Sequence, residues 1–243
     1  MNRLLLLFFA FLFSLSVSAK KEVIRFNLKL GFIKGGEAEL TINDTVFNNK
    51  PAIKYHINGR TTGLANTLYA VNDTYETIVD AETHLPLKAI RNIREKKYRW
   101  YNETLFYHDI DSLNSQRSGW HEMPENTVDM VSSFFYFVLK NNIDEMEPNN
   151  EIELASFHAD KIDTVTVKYL GTEVIKTDLG EIDSYVLSPV VDKGKLFKRS
   201  NAMKFYISRE LKLPVLLDFE MKVGALRAVL RSYKIDGVEQ ITK

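Results

Sequence analysis

Histidines are the first residues to consider for metal or acid–base chemistry, and the chain has five: His56, His84, His108, His121 and His158. No two are close in sequence, and neither an HExxH nor an HxH arrangement occurs, so the spacing offers no zinc site. With no cysteine anywhere in the chain, thiolate ligands, thiol catalysis and disulfides are excluded together. Asp109 and Asp111 share a face if a strand continues through them, and a carboxylate pair of that kind can relay protons or hold a cation. No glycine-bearing calcium loop follows the pair, and a solvated strand end accounts for it more simply. The serines lack a GxSxG elbow, and no glycine-rich phosphate cradle follows a strand. No set of polar residues assembles into named catalytic roles. We therefore expect a non-enzymatic protein with no cofactor and no metal, and rank a hydrolase of unknown type behind two binding readings.

Two groups of residues could bind rather than catalyse. Arg91, Arg94, Lys96, Lys97 and Arg99 stand beside Tyr98, Trp100 and Tyr101, a mixture that meets phosphates, anionic lipid headgroups or acidic sugars through charge and ring faces. A charged hairpin tip explains the same residues. Val128, Val131, Phe134, Phe135, Val138 and Leu139 recur at helical spacing and form a wide apolar face. That face serves equally as core or as one wall of a ligand cavity. The ligand-facing candidates are Phe134, Phe135, Val138, Tyr98, Trp100 and Arg99.

These residues need elements to position them. Ile24, Phe26, Leu28 and Leu30 alternate with Arg25, Asn27 and Lys29, which predicts a half-buried strand. Gly35-Gly36 is expected to turn the chain before Ala38, Leu40 and Ile42 resume the period. Further strands follow near 53–59, 73–79, 85–94 and 98–108, and again near 151–157, 164–170, 183–190, 203–208, 215–223 and 225–235. The connections are short, which favours an antiparallel meander. A short helix is predicted over 62–69. A second is predicted over 127–140, with Asn126 as N-cap and Asp129 in its first turn.

One internal echo stands out. Tyr75 to Leu87 and Phe205 to Val215 both run aromatic, strand, acidic turn, then Leu-Pro, with Asp80, Glu82 and Leu85-Pro86 in one and Ser208, Glu210 and Leu213-Pro214 in the other. A proline at the start of a strand leaves the ladder intact, so the echo predicts a repeated hairpin.

The N-terminus reads as an export signal. Arg3 is followed by an apolar run from Leu4 to Phe13 and by Val17-Ser18-Ala19, the small residues of a cleavage site. That run is too short to span a bilayer, and no later stretch is a transmembrane candidate. The predicted organisation is a signal peptide over 1–19 and a single domain over 20–243. Two related halves, 20–125 and 143–243, would be joined by the helix at 127–140. The periplasm is the expected compartment, with release from the cell as the alternative. Without Arg3 the chain carries 31 basic against 32 acidic side chains. No field of the size that nucleic acid attracts exists, and none is expected as a partner.

The same segments carry a resemblance. Leu30 to Ala38 (LGFIKGGEA), Thr61-Thr62-Gly63-Leu64-Ala65, Tyr69, Asp73, Tyr75-Glu76, Asp80, Leu85-Pro86-Leu87 and Arg91 resemble the exported bacterial family DUF3108. So do Asp129 to Tyr136 and Leu213-Pro214-Val215. The family label denotes a domain of unknown function, so the resemblance implies architecture and not activity. A looser likeness of architecture is to the half-barrel lipoprotein and lipid carriers of the bacterial envelope. Together these imply a mainly β (α+β) fold, a curved antiparallel sheet or half-barrel with one or two helices packed on its concave side. The leading functional reading is an envelope protein that binds or carries an apolar or amphipathic ligand such as lipid. The alternative is an interaction or scaffold protein, with an envelope protein as partner, in envelope or polysaccharide assembly.

Overall fold

The computed structural model describes residues 20–190, 202–222 and 224–241. The predicted signal peptide lies outside the described residues, as does Val223 at the end of one predicted strand. In chain order the elements are β1 (Lys21–Leu30), β2 (Ile33–Phe47), β3 (Lys50–Thr61), α1 (Gly63–Leu68), β4 (Asn72–Asp80), β5 (Pro86–Glu95), β6 (Tyr98–Tyr107), β7 (Ser112–Ser115) and β8 (Gly119–Glu122). Then come β9 (Val128–Asp129), α2 (Met130–Lys140), β10 (Glu151–His158), β11 (Lys161–Thr177), β12 (Gly180–Pro189), β13 (Met203–Ser208), β14 (Pro214–Met221), β15 (Gly224–Ile235) and β16 (Val238–Glu239).

Within each of two runs, β1 to β8 and β9 to β16, every strand pairs with its neighbours in sequence, and the runs meet where β1 pairs with β15. One curved sheet results, ordered β8 through β1, then β15 down to β9, with β16 alongside β15. All pairings are antiparallel except β9 with β10. β8 and β9 are its two ends, and among the described residues no ladder joins them. This is the predicted mainly β, half-barrel architecture.

Alternation in β1 places Ile24 and Phe26 in the core while Arg25 faces out and pairs with Glu39 at 2.7 Å. The chain turns at Gly31-Phe32, and the expected turn at Gly35-Gly36 lies inside β2 instead. The reason is a bulge: β1 pairs Leu28 with Gly36 but Lys29 with Lys34, leaving Gly35 as the extra residue. A Cβ at Gly36 would stand 2.4 Å from the Arg60 carbonyl oxygen, so close backbone approach requires glycine there.

The echoed segments fold identically. In one, Asp80 N–H donates to the Leu85 carbonyl at 3.0 Å and His84 N–H to the Asp80 carbonyl at 3.0 Å. In the other, Ser208 N–H donates to Leu213 at 2.9 Å and Lys212 N–H to Ser208 at 2.9 Å. His84 and Lys212, each two residues before the proline, both have left-handed φ, at +59° and +54°.

Helix α2 fills the concavity. Its N-cap is Asp129, not Asn126, which has a left-handed φ of +57° and lies outside the helix. Val128 and Asp129 are held extended by pairing with β10, so the helix starts only beyond them. Asp129 closes a capping box with Ser132. Its Oδ2 also accepts a hydrogen bond from Thr77 Oγ1 on β4 at 2.8 Å, both residues being buried. At the other end Lys140 Nζ donates to the Glu82 carbonyl at 2.6 Å. Phe135 stacks flat on Tyr55, ring centroids 3.9 Å apart. Val131 and Phe135 join the core under β1–β4 and β11–β15, while Phe137 and Val138 join a second core against β10–β13.

The two ends of the sheet approach each other through side chains. Phe106, Leu113 and Met123 pack with Phe157 of β10. At the β10–β11 turn, Asp160 Oδ1 accepts hydrogen bonds from Asn102 Nδ2 at 3.0 Å, Ser115 Oγ at 2.9 Å and Ser118 Oγ at 3.1 Å. A carboxylate thus clasps β6 and β7 across the seam where no ladder runs.

Candidate functional site

Strand parity decides which residues of the basic and aromatic hairpin turn inward. Arg91 and Ile93 on β5 share a face with their partners Asn102 and Trp100 on β6, and Ile93 and Asn102 are buried. The opposite face carries Lys88 and Glu103, paired at 2.7 Å, and the exposed Tyr101. Arg91 is therefore a cation on the inner face of the sheet. Its guanidinium carbon lies 4.8 Å from the Trp100 ring centroid and 5.8 Å from that of Tyr75, while Arg117 approaches Trp100 at 5.3 Å.

Tyr75, Arg91 and Trp100 line a small cavity, about 50 Å³, between β4–β6, the start of α2 and the β10–β11 turn. Phe106, Val131 and Phe157 form its apolar wall, with Asn102, Asp129, His158 and Asp160 as further polar lining. The two carboxylates are already satisfied: Asp129 caps α2 and accepts from Thr77, and Asp160 accepts from three donors. Arg91 differs. Its Nε is buried without a hydrogen-bond partner and among the described residues it forms no close ion pair, although the guanidinium interacts with the Tyr75 hydroxyl and lies in the field of the Asp73 carboxylate. A buried donor left unpaired costs about 1–3 kcal/mol, more when charged. Because that Nε is itself closed off, an anion could meet only the positive charge of the guanidinium, on the side of the cavity away from Asp129 and Asp160; a carboxylate or phosphate group there would answer Arg91.

The larger groove on the outer face, about 630 Å³, offers no such vacancy. There Arg25 pairs with Glu39, and Arg60 and Arg231 both pair with Glu37.

Of the six predicted ligand-facing residues, Trp100 lines the cavity. Tyr98 is exposed at the hairpin tip, and Arg99 donates to the Lys96 and Tyr98 carbonyls at 2.7 Å, bracing the turn. Phe134, Phe135 and Val138 are packed in the two cores around α2 and line none of this space. Asp109 and Asp111 do not share a strand face: β6 ends at Tyr107, a single 3₁₀ turn follows, and both carboxylates are exposed. The five histidines are dispersed, and among the described residues no three His, Asp or Glu side chains gather as metal ligands. In the sequence alone Arg91 is one member of a charge cluster. Its phase with Ile93 was the available signal. Asn102 follows the phase of β6, whereas Arg117 and Asp160 are brought in by the β7–β8 and β10–β11 turns, and no local pattern marks those two.

The fold has a relative among solved structures. A β-barrel-like protein of the DUF1849 family from Brucella abortus superposes with a TM-score of 0.58 over 89% of this chain and 97% of that one, at 10% identity. A DUF1329 family protein from Desulfovibrio piger aligns over 90% of this chain and 85% of its own at 12% identity, but its TM-score of 0.22 supports no argument. No curated protein matches the sequence. The family model described as protein of unknown function, DUF3108, matches residues 25–231, and the chain belongs to that family.

Proposed function

We propose that this protein is an exported, non-enzymatic binding protein of the bacterial envelope whose ligand is an anionic amphiphile such as a lipid. The observation that carries the reading is Arg91, an inward guanidinium on the cavity wall, held against Trp100 and without a close ion pair among the described residues. The cavity of about 50 Å³ takes a headgroup and not an acyl chain. The apolar part of the ligand stays outside it, because α2 occupies the concavity in which a chain would otherwise lie. Export rests on the N-terminal sequence pattern, and the periplasm is the compartment it favours.

The filled concavity also favours a second reading, an interaction or scaffold protein working without bulk cargo. The two readings separate in a titration with dodecyl phosphate below its micellar concentration, followed by Trp100 emission in a Trp120→Phe background. The binding reading expects a saturable change that Arg91→Gln weakens by about tenfold or more, the scale of one charge-assisted hydrogen bond. No saturable change, or equal affinity in the variant, overturns it.

A further inference from the structure

One rim of the sheet carries apolar side chains that folding alone does not explain. Phe32 at the β1–β2 turn is fully exposed, and its neighbour Ile33 is 75% exposed. Leu64 and Leu68 of α1 are 85% and 76% exposed, one helical turn apart, and α1 buries no residue at all. Leu30 belongs to the same group. Single exposed apolar residues are ordinary, but a group projecting from adjacent tips marks an interaction surface.

The tips are contiguous. Gly31 N–H donates to the Ala225 carbonyl at 2.9 Å, which joins the β1–β2 turn to the start of β15. Thr62 N–H donates to the Gly35 carbonyl at 2.9 Å, which seats the start of α1 on β2. Beyond α1, Lys96 N–H donates to the Ala70 carbonyl at 2.8 Å and its ammonium lies 4.7 Å from the Tyr69 ring centroid, attaching the β5–β6 tip.

Around the apolar tips stand four lysines without a close carboxylate partner. Lys29, Lys97 and Lys222 have no ion-pair partner among the described residues, and Lys96 faces only a ring. Of the nearby acids, Glu37 is paired with Lys34 and Arg60, while Glu95 accepts from the Tyr69 hydroxyl at 2.9 Å and keeps its charge. Apolar points beside unpaired lysines are complementary to an anionic lipid surface, where the points enter the headgroup region and the cations add electrostatic attraction.

We propose that this rim docks the protein on an anionic phospholipid bilayer, with Phe32, Ile33, Leu64 and Leu68 entering the interface. This goes beyond the Arg91 reading and stands without it. The test is co-sedimentation of the chain from residue 20 to 243 with phosphatidylcholine vesicles, alone and with about one quarter phosphatidylglycerol. The expected result is binding to the anionic vesicles that weakens with salt. Phe32→Asp combined with Leu68→Asp reduces it by about tenfold or more, as does Lys96→Glu combined with Lys97→Glu. All four side chains are exposed, so an unchanged urea midpoint verifies that each variant folds. Arg91→Gln retains vesicle binding, which keeps the two proposals separable. Absent binding, binding indifferent to the Asp substitutions, or concentration-dependent self-association that Phe32→Asp abolishes while vesicles are ignored would each overturn the proposal.

Discussion

Asp129 does three jobs at once: it caps α2, closes the box with Ser132, and ties the helix start to Thr77 on β4. Thr77→Val keeps the shape but removes one donor from a buried carboxylate. Urea unfolding should show a loss of about 1–3 kcal/mol, and an unchanged midpoint would mean the bond is dispensable. His84 and His108 govern a second property. Burial holds both imidazoles below their ordinary pKa of 6.5, aided at His84 by the Lys140 ammonium and opposed at His108 by its hydrogen bond to the Pro86 carbonyl. Below 6.5 the unfolded chain therefore binds more protons than the folded one, so stability falls as pH drops through the window between 6.5 and the lower folded values. The urea midpoint should decline from about pH 7.5 to about pH 5.5, and less steeply in His84→Asn, since asparagine accepts the left-handed φ of +59°. A midpoint independent of pH would contradict this. At this scale the sequence was only partly legible. The basic and aromatic residues of the β5–β6 hairpin were visible, but selecting Arg91 over Arg99 needed the strand phase, and Asp160 arrives from a distant turn.

Among the elements, the antiparallel order, the two helices and the repeated Leu-Pro hairpin could be read from local pattern, because alternation, short connections and a proline before a strand each have a local physical cause. The turn at Gly35-Gly36 and the N-cap at Asn126 could not. A bulge and a parallel pairing with β10 decide those positions, and both depend on partners remote in sequence. The seam is another feature of this kind. Ala159 and Asp160 both have left-handed φ, so Asp160→Gly keeps the turn and deletes only the carboxylate that binds Asn102, Ser115 and Ser118. Losing those bonds should make the backbone amides of β7 and β8 exchange with solvent roughly tenfold faster or more, while β1 and β15 keep their protection. Equal exchange in both forms would show that the apolar contacts of Phe106 and Leu113 with Phe157 hold the seam alone.

For the whole molecule, a curved sheet filled by its own helix leaves two places where chemistry is unfinished, the Arg91 cavity and the apolar rim. The first carries the central claim. Its most direct test is native mass spectrometry of residues 20–243, purified gently from the envelope, with wild type and Arg91→Gln compared side by side. The expected result is a bound anionic amphiphile in stoichiometric amount on the wild type and its loss from the variant. A ligand-free wild type, or an adduct carried equally by both proteins, would contradict it.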